Sequence, residues 1–235
     1  MTEDNFDINE FVDGENWDDE EAVDYYIEHL MELFADSPEA QALREPDGFF
    51  SLFWVDSFLD YSLVEVGISP PEMTENDLRE VLFELFPRKV STPEGFDGEK
   101  VVQALCAFWS FLKREFGLPN ADTCLRVLDD RTARRMDKEM NDPSNFGMAK
   151  TMVMMGAARG FDMTKQEDVD RWTAIYNEEI ARSMGAPPGI GTPFPLPDED
   201  ELPASTGRSY THRKPGKERR KHKLAKISRK KNRRK

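Results

Sequence analysis

The chain has 235 residues, with 46 Asp or Glu against 32 Lys or Arg, and a formal net charge of −14. This length is sufficient to bury the hydrophobic core of an ordinary domain. The charge is unevenly distributed, because residues 208–235 carry 15 Lys or Arg and one acid, whereas residues 1–207 carry 17 basic and 45 acidic residues. Residues 1–207 thus have a net charge of −28 and residues 208–235 a net charge of +14, and the two parts of the chain need separate interpretations.

The sequence lacks the features of a secreted or membrane-bound protein. It contains no run of 18 uncharged apolar residues, and its first ten residues, MTEDNFDINE, are acidic where a signal peptide would be basic. We therefore expect a cytoplasmic protein with no membrane partner.

The cysteines and histidines disfavour several classes of site. Cys106 and Cys124 are isolated within helical patterns, which argues against a disulfide framework and against a zinc knuckle. His29 is the only histidine before residue 212, so a histidine-based metal site or nucleophile is not expected in the folded part. The sequence predicts no metal site and no cofactor, and His29 is interpreted as a structural side chain at or near the surface.

The N-terminal segment is predicted to begin as a disordered arm that is followed by two helices. Residues 1–17 are rich in acids and poor in periodic apolar positions, which is typical of a disordered acidic arm. Order is expected to begin near Trp17 or Asp18. Ser37 and Pro38 have the residue types that start a second, short helix. The first helix has an apolar face made of Val23, Ile27, Leu30 and Phe34.

The next segment contains the candidate central helix. Residues 49–66 are apolar on nearly every side, which is typical of a helix buried all round. Gly67 is expected to cap its C-terminus. Thr74 and Asp77 resemble a capping box at the start of the following helix, which Pro87 is expected to stop.

Four more helices are predicted before the chain becomes rich in proline. The first has an apolar stripe over residues 101–112, and a more polar helix follows over residues 120–140. The third is predicted over residues 142–160, starting at an Asp-Pro pair, and the last begins at a capping box of Thr164 and Glu167.

The sequence therefore predicts an all-α fold. No stretch combines sustained alternation of apolar and polar residues with β-branched content. We expect a single globular multi-helix domain of about seven or eight helices over residues 18–185. Trp109 and Trp172 are expected to anchor its core, and Gly117 and Gly160 to end helices.

The C-terminal part is predicted to remain outside this domain. Residues 186–207 contain six prolines, which favour extended geometry, and are interpreted as a linker. Residues 208–235 contain only two large aliphatic side chains, Leu224 and Ile227, which cannot offset the entropy lost on folding. We expect this basic tail to be disordered until it meets an anion.

The basic tail is the strongest functional signal in the sequence. Fifteen cations within 28 residues match a polyanion, with RNA or the ribosome favoured, through the release of counterions. Tyr210 is its only aromatic residue, so base stacking and sequence specificity are not expected. A charge-balancing role is the alternative, and in a nucleated cell the same residues would resemble a nuclear localisation signal. The predicted nucleic-acid contacts are Arg213, Lys214, Lys217, Arg219, Arg220, Lys221, Lys223, Lys226, Arg229, Lys230, Lys231, Arg233, Arg234 and Lys235.

The first helix also carries a stripe of acids. Glu21, Asp24, Glu28 and Glu32 recur on the face that points away from its apolar residues. A solvated surface is the simpler interpretation, and a basic ligand is the alternative. Because the tail has the opposite charge and a long linker, we also predict an intramolecular contact between the tail and this acidic N-terminal face at low salt.

Two features near residue 150 have both a structural and a functional interpretation. Lys150 follows residues 145–147 near a helix start, where anions bind, although a structural role explains it equally well. Met148, Met152 and Met155 recur at helical spacing, which is more typical of a core face than of an adaptable binding surface.

Several short segments carry a family resemblance. They are PRKV at residues 87–90, AFWSFL at 107–112, GLPN at 117–120, DPSNFGMAK at 142–150, GFDMT at 160–164 and YN at 176–177. Over residues 87–177 the chain thereby resembles an uncharacterised bacterial family of helical domains of unknown function. The resemblance implies a helical fold and a bacterial cytoplasmic origin, and it supplies no catalytic residues.

The sequence thus favours a non-enzymatic helical adaptor or regulator that its basic tail tethers to RNA or the ribosome. An enzyme is the alternative. Its site would use carboxylates and cations alone, for example Asp129, Asp130, Arg131 and Lys150, on a substrate that the sequence does not identify.

Overall fold

The computed structural model describes residues 6–11, 19–43, 49–92 and 95–183. Within these ranges the chain forms helices and no β-strand, which confirms the all-α prediction. The predicted linker and basic tail lie outside the described residues. The main helices are α1 (Glu20–Ala35), α2 (Pro38–Ala42), α3 (Phe49–Asp60), α4 (Glu75–Glu80), α5 (Gly98–Phe116), α6 (Ala121–Val127), α7 (Asp130–Asn141), α8 (Met148–Ala158) and α9 (Gln166–Ser183).

Two of these helices continue in a different geometry. Helix α3 passes into the π-helical turn Tyr61–Val66, and α4 passes into the π-helical turn Val81–Leu85 and then the α-helical turn Phe86–Lys89. Short 3-10 turns occur at Pro70–Glu72 and Pro143–Asn145. None of the described helices is long and apolar enough to cross a lipid bilayer.

The internal contacts divide the chain into two compact units. Among the described residues, the first unit contains those up to Glu84 together with Asp97–Lys138. The second unit contains Leu85–Phe96 and the described residues from Glu139 onward.

The central helix of the first unit is the one that the sequence predicts. Helix α3 packs against α1 and α5, and its Trp54 and Phe58 are completely buried together with Phe108 and Trp109 of α5. The helical run that starts with α3 ends at Gly67, whose φ of 73° lies in the left-handed region that favours glycine. Both the buried helix and its C-cap are therefore confirmed.

The N-terminal arm differs from the prediction over Phe6–Phe11, which is packed rather than solvated. Ile8 and Phe11 are buried, and the hydroxyl of Tyr26 donates a hydrogen bond to the Ile8 carbonyl over 2.9 Å. The ring of Phe6 stacks on that of His29 with 5.3 Å between centroids, so this histidine is half-buried and structural as expected. Residues 1–5 and 12–17 of the predicted arm lie outside the described residues.

Two of the predicted helix boundaries are wrong in the second unit. The helical run of α4 passes through Pro87 instead of stopping before it, because Pro87 lies in the first turn of the α-helical segment Phe86–Lys89, where a missing N–H is tolerated. Asp142 caps the 3-10 turn Pro143–Asn145 by accepting from the amide of Ser144, and α8 starts only at Met148.

The core of the second unit is built around Trp172. Its indole Nε1 donates a hydrogen bond of 2.7 Å to the carbonyl of Met152, and Tyr176 packs beside it with 5.6 Å between ring centroids. A Cβ added at Gly156 would lie 2.7 Å from the indole ring, so glycine permits this close approach of α8 and α9. The prediction that Trp172 anchors the core is confirmed.

Candidate nucleic-acid interface

The fourteen predicted contacts in the basic tail, from Arg213 to Lys235, lie outside the described residues. The acidic stripe of α1 lies within them, and its four carboxylates are all exposed on the face opposite the core. The solvated-surface interpretation of Glu21, Asp24, Glu28 and Glu32 is therefore consistent with the structure.

A second charged surface becomes visible because residues 120–140 form two helices rather than the predicted one. Helix α6 ends at Val127, with Leu128 as its C-cap, and α7 starts where the carboxylate of Asp129 accepts hydrogen bonds from the amides of Arg131 and Thr132 at 3.0 and 2.9 Å. These hydrogen bonds, chiefly that from Thr132, lower the pKa of Asp129. The cap fixes where α7 starts, and hence which of its side chains face solvent.

The buried side of α7 packs closely against the N-terminus of α5. The amide of Gly98 donates a hydrogen bond of 2.7 Å to the carboxylate of Asp137. A Cβ at Gly98 would lie 2.3 Å from the carbonyl oxygen of Ala133, so glycine is required by this approach of two backbones. On the same helix, the guanidinium of Arg135 lies 3.8 Å from the ring centroid of Phe83. Helix α7 is thereby held in a fixed orientation within the first unit.

The outer side of α7 is basic. At about 100° per residue, Arg131, Arg134 and Lys138 fall within an arc of about 60°, and all three are exposed. We call these three residues the basic face. Its centre points away from the buried residues of the helix, which are Thr132, Ala133, Met136 and Met140.

The side chains of the basic face have no ion pair or hydrogen bond with any residue that the structure describes. Their surroundings are acidic, since the described residues of the first unit carry 25 Asp or Glu and nine Lys or Arg. Four of the nine cations lie on α7, including Arg135. The basic face is therefore a group of three neighbouring exposed cations, flanked by Asp129 and Asp130, on a negative unit.

Two residues of the enzyme alternative, Asp129 and Lys150, have structural partners. The Asp129 carboxylate is occupied as the cap of α7, and Asp130 and Arg131 are exposed in the first turn of that helix. Among the described residues no group of three or more His, Cys, Asp or Glu side chains is arranged to hold a metal ion.

Lys150, the remaining member of that alternative, is only 1% exposed. Its Nζ donates hydrogen bonds to the carbonyls of Pro87 at 2.9 Å and Met140 at 3.2 Å, and lies 4.1 Å from the ring centroid of Phe146. Both carbonyls belong to C-terminal turns of helices, where carbonyls lack helical partners and a cation is favoured. Burial lowers the pKa of Lys150 to about 8. The ammonium thus binds backbone carbonyls, which differs from the anion-binding interpretation.

The methionine stripe is only partly a core face. Met152 is 5% exposed, as predicted, whereas Met148 is 59% and Met155 36% exposed. The core-face interpretation therefore holds for one of the three residues. The other two lie seven positions apart, on the solvent side of α8, because α8 packs on α9 through Met152 and Gly156.

Arg134 and Lys138 are not among the residues that the sequence predicts to be functional. The signal was present as Arg131-x-x-Arg134-x-x-x-Lys138, a spacing that places three cations on one helix face. It becomes interpretable only once the break at Asp129 and the buried side of α7 are known.

Comparisons of the chain with protein-family models, with curated proteins and with solved structures find no match.

Proposed function

We propose that the protein is a non-enzymatic helical adaptor or regulator, located in the cytoplasm, that its basic tail tethers to RNA or the ribosome. The observation that carries this proposal is the charge of the tail, with 15 Lys or Arg and one acid in residues 208–235. Such a density of cations binds a polyanion by releasing its condensed counterions.

The composition of the tail indicates how this binding works. With Tyr210 as its one aromatic residue, the tail has little capacity to stack on bases. Phosphate contacts give affinity and position but carry no sequence information. The proposed role is therefore retention on RNA in general, with the helical units available for other partners.

The test measures the affinity of the full chain for a fluorescein-labelled 40-nucleotide oligouridine as the salt concentration is raised. If about seven cations reach phosphates of the single strand, log K falls with log salt with a slope of about −5. Because this removes three of the fifteen cations that share the contacts, substituting Arg233, Arg234 and Lys235 with glutamine should reduce the magnitude of this slope by about 1.

A matched control carries the same change in charge elsewhere. Arg79, Lys113 and Arg182 are exposed and each is paired with a nearby carboxylate, so their substitution with glutamine should leave the slope unchanged. Binding that is insensitive to salt, or a tail variant that behaves like this control, would contradict the proposal.

A further inference from the structure

We propose that the basic face of α7, formed by Arg131, Arg134 and Lys138, is a second site that contacts the phosphate backbone of RNA. This inference rests on the proposed function and places an RNA contact on the folded part of the chain. The three exposed side chains span about 10 Å along the helix axis, at 1.5 Å per residue. A strand that carries one phosphate per nucleotide presents anions over the same length.

Like charges are adjacent within the face, although carboxylates flank it, since Asp129 precedes Arg131 by two residues and Asp130 precedes Arg134 by four. Arg131 and Arg134 are three residues apart, and Arg134 and Lys138 are four apart, so each pair places like charges side by side, which weakens a helix. Arg131 also lies in the first turn, where the helix dipole disfavours a cation. An anion bound across the face would relieve both effects.

The face is presented rigidly, which favours binding. Helix α7 is fixed by the Asp129 cap, by the close approach of Gly98 and by the stacking of Arg135 on Phe83. The backbone loses little conformational entropy when a ligand binds, so the entropy lost on binding comes mainly from the three side chains. Because the face contains no aromatic ring, it contacts phosphates and not bases.

RNA is favoured over a partner rich in carboxylates, because RNA is also the ligand proposed for the tail. The two basic elements of the chain can then act on one strand, and linked contacts raise the affinity beyond that of either element. The rival occupant is an acidic segment of this chain, such as residues 12–18, which lie outside the described residues.

The experiment compares three triple variants of the full chain, each with three cations changed to glutamine. The face variant is R131Q/R134Q/K138Q, the tail variant is R233Q/R234Q/K235Q, and the control is R79Q/K113Q/R182Q. If all three residues of the face reach phosphates, its variant should lose about 2 from the magnitude of the salt slope and about 100-fold in affinity for the 40-nucleotide oligouridine at 0.1 M salt. The control should lose neither, and circular dichroism should show that all three variants keep their helices.

A second measurement uses the unmodified protein. Acetylation of lysines by an N-hydroxysuccinimide ester, read by mass spectrometry, should be slower at Lys138 when oligouridine is present. Lys165 is also exposed, with its amine paired to Asp162 at 2.9 Å, and should react equally with and without RNA.

The outcomes separate the two proposals. If the tail variant loses slope while the face variant matches the control, the proposed function stands and the basic face is overturned. If neither variant differs from the control, both proposals are overturned. If Lys138 is acetylated slowly even without RNA, and oligouridine does not change this rate, the face is occupied by an acidic segment of the protein and the inference is wrong.

Discussion

Replacing Lys150 with methionine tests how a buried ammonium group affects the stability of the second unit. Burial lowers its pKa from an ordinary value of 10.5 to about 8. The unfolded chain therefore binds the proton more tightly than the folded chain between these two values. Because protons then favour unfolding, the free energy of unfolding rises as the pH rises through this window, and the gain is complete above the unfolded pKa.

The size of the effect follows from the shift. At 1.36 kcal/mol per pKa unit, the charged form costs the folded state about 3 kcal/mol at a pH well below 8, and about 1.3 kcal/mol of this is recovered between pH 7 and 9. Methionine removes the charge but leaves the carbonyls of Pro87 and Met140 without their donor, at a cost of about 1–3 kcal/mol each. These two effects on the free energy of unfolding have opposite signs. The difference in stability between K150M and the unmodified chain at a single pH therefore does not test the reasoning, whereas the change of this difference with pH does.

The assay is urea unfolding followed by tryptophan fluorescence at pH 7, 8 and 9. The stability of the unmodified chain minus that of K150M should rise by about 1.3 kcal/mol over this range. Burial raises the pKa of Cys106 and Cys124, and their ionisation in the unfolded state lowers the stability of both proteins alike, so it cancels in the difference. The control K165M removes an exposed lysine whose pKa is raised by its hydrogen bond to Asp162, and it should show no such rise. Parallel curves for K150M and the unmodified chain would refute the reasoning.

Three further substitutions test the packing. G98A places a methyl group against the carbonyl of Ala133, 2.3 Å away, and should lower the free energy of unfolding by about 1–3 kcal/mol in urea unfolding. G156A crowds the indole in the core of the second unit and should cost a similar ~1–3 kcal/mol, with a change in tryptophan fluorescence. Y26F leaves the Ile8 carbonyl without its donor and should accelerate hydrogen exchange at residues 6–11, whereas unchanged exchange would show that this segment is held by its apolar side chains alone.

The parts of the fold that depend on local chemistry were predictable from the sequence. The capping box of Thr74 and Asp77 forms as expected, and Ser37 caps α2 through its hydroxyl. Most of the side chains of residues 52–66 are buried or half-buried as expected, with Val64 40% exposed, because a helix that is apolar on nearly every side packs inside. In each case a few neighbouring residues determine the result.

The features that sequence reasoning missed depend on contacts between distant residues. Phe6–Phe11 shows no helical period, and it packs against Tyr26, which lies 18 residues after Ile8 and donates a hydrogen bond to its carbonyl. Pro87 is a helix breaker by residue type, and its residue pattern does not show that it lies in the first turn of a further helical segment. The basic face was missed for a related reason, because residues 120–140 were interpreted as one helix and Asp129 as a catalytic candidate rather than a cap.

Under the proposed function, the balance of charge gives a reason for both a tether and a local contact site. Residues 1–207 carry a net charge of −28, which repels phosphates at long range, but at physiological ionic strength such repulsion is screened beyond about 8 Å. An extended proline-rich segment of 22 residues, as the sequence predicts for residues 186–207, spans about 70 Å at ~3.1 Å per residue. The tail can therefore hold RNA while the acidic units stay outside the range of repulsion. Direct contact with those units is then favoured where cations are grouped on the surface, as Arg131, Arg134 and Lys138 are on the basic face of α7.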